Sequence, residues 1–193
     1  MGVRVQEFDF VFSLFGLLLG LALAEVLGGF GQALNRRPAR RIGWLTPMLG
    51  MLVMLDLISF WTTAWAVRES IPLNYLTLML VLLFTSVYYL IATLVFPNEP
   101  DGEPDYDAHF FRQRKRILGG IAALNIVAYA VETWLSGTMF RTEQTAVNVV
   151  AFFALLAAAS FVRSARAATA VLGLLVALYP MAAVIGALRD AGS

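Results

Sequence analysis

The chain contains no cysteine and a single histidine, His109. The first absence removes disulfide frameworks, thiolate nucleophiles, iron–sulfur clusters and thiolate zinc sites. The second removes bis-histidine haem, histidine-rich metal centres and most imidazole proton relays. Charge is scarce too: 14% of the 193 residues are charged, against about 25% in a soluble domain. The net charge of +1 carries none of the basic excess of a nucleic-acid binder. What the chain has instead is apolar surface, with 60% hydrophobic residues and a mean hydropathy of +0.75. One soluble domain of this length cannot bury so much, so the composition points to an integral membrane protein.

Catalytic signatures are missing as well. His109 falls in a loop, away from any serine within a span. Gly28-Gly29-Phe30-Gly31-Gln32 lacks the Gly-Lys-Ser/Thr of a P-loop. Asp56 lacks the Gly-x-Gly-Asp context of intramembrane aspartyl proteases, and Asp101-Gly102 lacks the residues that follow it in phosphatidyl-alcohol transferases. Neither enzymatic activity nor a cofactor is expected.

A span needs about 20 mostly apolar residues. Six segments qualify, at roughly 8–34, 47–67, 74–96, 117–136, 143–162 and 167–188. The fold class expected is therefore all-α, one six-helix membrane domain over residues 1–193. Thr46 reads as the N-cap of the second span, with Pro47 as its first residue. Pro97 stops the third and Gly137 ends the fourth. Pro180 lies inside the sixth and predicts a kink. Ala22-Leu23-Ala24 resembles a signal-peptidase site, but the segment before it is not basic and the apolar pattern continues, so retention is expected.

Arg36, Arg37, Arg40, Arg41, Arg112, Arg114, Lys115, Arg116, Arg163 and Arg166 fall on one side of a six-span chain. Arg4, Arg68, Arg141 and Arg189 fall on the other. The positive-inside rule makes the first side cytoplasmic and both termini external. The chain looks like small bacterial inner-membrane proteins, a multi-pass likeness that carries no function. Leu21–Val26 and Ala128–Thr133, each with a late glutamate, suit a three-plus-three (3+3) inverted repeat.

Carboxylates in hydrocarbon are expensive, at about 3 kcal/mol each when central. Glu25, Asp56 and Glu132 qualify, and no span carries a deep Lys or Arg to offset them. Glu25 and Asp56 each sit about 14 Å from the arginine-rich turn between spans one and two. Tyr89 and Asn125 fall near the same depth, which suggests one polar layer. Glu132 and Asn148 form a second layer nearer the external side. Asp56-Ser59-Thr63, Ser86-Tyr89-Thr93 and Asn125-Tyr129-Glu132 each run along one helix face. Like acids at one depth share protons. The layer also reads equally well as hydrogen-bonded glue between helices.

Gly16, Gly20, Ala24 and Gly28 recur every four residues and let another helix approach closely. They serve either packing within the chain or a homo-oligomer interface. In the loop 97–116, Glu99, Asp101, Glu103, Asp105, Asp107 and His109 alternate, so an extended strand aligns them as metal-ligand candidates. A solvated spacer explains them equally. The basic half, Phe110–Arg116, reads as a short interfacial helix. Trp44, Trp61, Trp65 and Trp134 suit interface belts.

The leading expectation is a small oligomeric channel or transporter for protons or small cations. Its pathway would run through Glu25, Asp56, Tyr89, Asn125, Glu132 and Asn148. The alternatives are a non-transporting subunit of a larger membrane complex, and a lipid- or pigment-binding protein that uses the 12% aromatic content. Partners are the bilayer, further copies of the chain or complex subunits, and no nucleic acid.

Overall fold

The computed structural model describes residues 2–35, 43–67, 70–72, 74–97, 105–137 and 143–190, apart from the side chains of 2–11, 136, 189 and 190. Six helices follow in order: α1 (Gly2–Asn35), α2 (Leu45–Ala66), α3 (Tyr75–Val95), α4 (Tyr106–Ser136), α5 (Glu143–Phe161) and α6 (Ala165–Asp190). All six are long and apolar enough to cross a membrane. Arg36, Arg37, Arg40, Arg41, Arg68, Glu99, Asp101, Glu103 and Arg141 lie outside the described residues.

The helix ends follow local chemistry. Asn74 Oδ1 accepts the Thr77 N–H at 2.9 Å and opens α3. Phe96, ahead of Pro97, turns extended and closes it. Gly137 adopts φ +70 and donates its N–H to the Thr133 carbonyl, the left-handed cap expected of a glycine there. Two boundaries differ from the sequence reading. Thr46 is not the N-cap of α2, because Leu45 is already helical and the cap position is Trp44. The Thr46 hydroxyl instead donates to the Tyr106 carbonyl at 2.6 Å, tying α2 to α4. Residues 106–116 are no separate interfacial helix but the first turns of α4, whose 31 residues span about 46 Å.

α2 is the central helix. It packs against α1, α3, α4 and α6, while α1, α3, α4, α5 and α6 follow one another around it. α4 neighbours α2, α3 and α5, whereas α6 neighbours α2 and α5. The first three helices pack differently, with α1 closely against α3, and this pattern lends the repeat no support. Lipid tails are as apolar as leucine, so association rests on close van der Waals fit. Glycine supplies it where α1 meets α3: a Cβ on Gly29 would lie 2.2 Å from Phe96 Cδ2 and 2.9 Å from its Cβ.

At the arginine-rich end the overhang of α4 ties three other helices. Asp105 caps α4 by accepting from the Ala108 N–H, and Asp107 accepts from the Leu45 N–H at the start of α2. His109 Nε2 meets the Leu94 carbonyl at the end of α3, at 2.9 Å. Arg114 donates to the Ala159 and Val162 carbonyls at the end of α5. Gly43 leaves room for this carboxylate, since a Cβ there would lie 2.0 Å from Asp107 Oδ1.

Gly29→Ala is expected to destabilise the protein by about 1–3 kcal/mol through overpacking. Gly119→Ala, whose Cβ would meet nothing within 4 Å, should be neutral or slightly stabilising. Thermal unfolding in detergent checks both, and equal melting temperatures would contradict the α1–α3 packing described.

Candidate functional site

Asp56 lies in the middle of the central helix and is 1% exposed. Three side chains from three other helices donate to its carboxylate. The Tyr88 hydroxyl of α3 reaches Oδ2 at 2.8 Å. Asn125 Nδ2 of α4 and the Tyr179 hydroxyl of α6 reach Oδ1, at 2.9 and 2.8 Å. Asn125 also donates to the Ile121 carbonyl one turn back, which fixes its amide. Four helices thus meet at one acid.

Aromatic packing aims the two tyrosines. Phe12, Phe15, Phe60, Trp61, Trp65 and Phe84 pack ring on ring between α1, α2 and α3. The cluster ends on Tyr88, against Phe60 and Phe84. Across the bundle, Tyr129, Phe153 and Phe152 lead to Tyr179. Each cluster closes apolar walls around the carboxylate and presents one hydroxyl to it.

An ionised carboxylate is acceptor-only, with about four lone-pair sites. Three are used here, all by neutral donors. A protonated Asp56 must donate one O–H, and a tyrosine hydroxyl can rotate to accept it, being donor and acceptor alike. Both states are therefore compatible with a closed network. Passing between them calls for a hydroxyl to rotate from donor to acceptor.

The sequence-derived layer is met in part. Asp56 and Asn125 come together as the depth argument expects. Tyr89 does not join them: it is 39% exposed, and its neighbour Tyr88 occupies the buried position. The stripe Ser86-Tyr89-Thr93 misleads because Ser86 and Thr93 bond carbonyls of their own helix, Leu82 and Leu90, and need no partner helix. Glu25 shares the depth of Asp56 but makes none of its hydrogen bonds. It flanks the α1 face of Leu19, Ala22 and Val26, and stays half-buried.

Tyr179 is the residue that sequence reasoning missed. Counted from the arginine-rich end, it lies about 5 Å deeper than Asp56. Helical side chains lean toward their N-terminus, so the long tyrosine reaches back over that distance. Tyr129 and Glu132 continue the Asn125 face of α4, both half-buried, with Tyr129 within electrostatic reach of Asp56 and Glu132. Asn148 accepts from Gln144 on its own helix at 3.1 Å.

The small-residue ladder divides. Gly16 faces the Trp61 ring within the chain, whereas Gly20, Ala24 and Gly28 are exposed. Trp44, Trp65 and Trp134 stand exposed near helix ends, while Trp61 serves the α1–α2 packing. The extended strand expected over 105–109 is overturned, because Asp105 starts a helix. Asp105, Asp107 and His109 bond to three separate backbone groups, and no group of three potential metal ligands occurs among the described residues. No family model matches the chain, and no curated protein or solved structure matches it.

Tyr88→Phe and Tyr179→Phe should each cost about 1 kcal/mol in stability. In an Asp56→Leu background that cost should change by at least about 0.5 kcal/mol. Double-mutant cycles on detergent unfolding measure the coupling, and strictly additive costs would show that the hydroxyls do not bond Asp56.

Proposed function

We propose that this six-helix chain is a small membrane protein that moves protons, alone or coupled to a small cation, with Asp56 as the group that takes up and releases the proton. The single observation supporting this is a buried carboxylate ringed by the two hydroxyls of Tyr88 and Tyr179 and by the Asn125 amide. Keeping an acid at mid-span is costly, and these partners let it serve in either protonation state. The face Asn125-Tyr129-Glu132 gives the approach from the far end of α4. Glu25 stands apart from this path and is a secondary candidate. In this reading the chain lies in a bacterial inner membrane with both termini outside. It assembles as a homo-oligomer along Gly20, Ala24 and Gly28.

A second reading, a non-transporting subunit of a larger complex, draws on α6. Beyond Pro180 its Met181, Val184 and Leu188 are all exposed. There Asp56 would serve only to hold four helices together.

Proteoliposome flux separates the two. A pH gradient should drive proton uptake in the wild type. Asp56→Asn keeps an acceptor and the side-chain volume but cannot ionise, and should lower flux at least about tenfold, which corresponds to about 1.4 kcal/mol in barrier. Glu25→Gln should change it less. Full flux in a folded Asp56→Asn protein would sink the role of Asp56. No flux in the folded wild type, with stoichiometric co-purifying partners, would favour the subunit reading.

A further inference from the structure

Six basic side chains, Arg112, Arg114, Lys115, Arg116, Arg163 and Arg166, crowd the arginine-rich end on α4 and the α5–α6 turn, and the central site accounts for none of them. Arg114 is 8% exposed, yet among the described residues its charge meets only the Ala159 and Val162 carbonyls and the Phe111 ring, 4.8 Å away. Its buried Nε has no hydrogen-bond partner among the described residues. That contact holds the α5–α6 turn level with the third turn of α4, so residues 106–113 overhang it as a wall.

Lys115 leans across the step, its Nζ 5.5 Å from the centre of the Phe161 ring on α5. On the floor, Arg163 and Arg166 are exposed and flank the start of α6. The first turn of α6 holds no acidic residue, and its backbone bonding begins with Ala168 N–H to Ser164 O. The N–H groups before Ala168 therefore face outward with the positive end of the helix dipole. The acids of α4 nearest in sequence, Asp105 and Asp107, are engaged with Ala108 and Leu45.

The geometry points to a binding site for one anionic phospholipid headgroup on this step, with its phosphate held by Lys115, Arg163, Arg166 and the α6 N-terminus. Arg114 lies behind it as fixed positive charge, and the acyl chains run down the exposed apolar sides of Phe161 and Leu174. The occupant is a lipid rather than free phosphate because the cations surround the ends of membrane-length helices and the Phe161 ring is 71% exposed beside them. Basic pockets between membrane helices suit such headgroups. Each basic residue near the surface adds about fivefold in affinity.

Native mass spectrometry of the detergent-purified protein tests the site. The probes are phosphatidylglycerol and phosphatidylcholine with matched acyl chains. The wild type should retain one phosphatidylglycerol per chain and little phosphatidylcholine. Lys115→Gln/Arg163→Gln/Arg166→Gln should lower phosphatidylglycerol retention by on the order of a hundredfold and leave phosphatidylcholine unchanged. Arg114 is kept, because its bonds to α5 are structural. Equal retention of the two lipids by the wild type would overturn the site without any variant. So would unchanged retention in the triple variant, or displacement of the lipid by inorganic phosphate alone at millimolar concentration.

Discussion

A carboxylate placed in hydrocarbon must be neutralised or have its oxygens filled with hydrogen bonds. Asp56 meets that requirement through Tyr88, Asn125 and Tyr179. The rest of the bundle is arranged around this need. α2 has to be central for its acid to be reached from α3, α4 and α6. The rings of Phe60 and Phe84 on one side, and Phe152 on the other, have to hold the two tyrosines in place. Loss of the acid takes the shared acceptor from three donors, so any variant at this position acts on the bundle as well as on the site.

The arginine-rich end solves a different problem. Here backbone groups at helix ends need partners, and α4 supplies them from one overhanging stretch. Asp107 serves α2, His109 serves α3 and Arg114 serves α5. Asp105, Asp107 and His109, which look like ligand or spacer residues when aligned as a strand, bond to backbone groups at helix ends instead. α2, α3 and α4 take part in both the Asp56 layer and this end layer, which sets their register against one another.

Helix number and type were legible in the sequence because apolar runs of membrane length leave little choice. Depth was legible too, since rise per residue is constant: Asp56 and Asn125 were placed together by counting alone. Azimuth was not. α3 carries no charged residue on any side, so nothing in its composition says whether Tyr88 or Tyr89 turns inward, and Thr85, Ser86 and Thr93 satisfy themselves on their own helix's carbonyls. Tyr179 escaped because counting α-carbons ignores the reach of a long side chain toward the helix N-terminus. Glu25 has the right depth but sits on a helix whose packing face is directed mainly to α3.

The central claim is that Asp56 exchanges a proton inside this network. Infrared difference spectroscopy across about pH 3–11, a range that brackets the ordinary carboxylate and tyrosine values, reads it directly in membranes. The account predicts a protonated carboxyl band that titrates, vanishes in Asp56→Asn and shifts in frequency in Tyr88→Phe and Tyr179→Phe. A wild-type spectrum with no titrating band assigned to Asp56 would contradict it and leave the carboxyl as a fixed tie between helices.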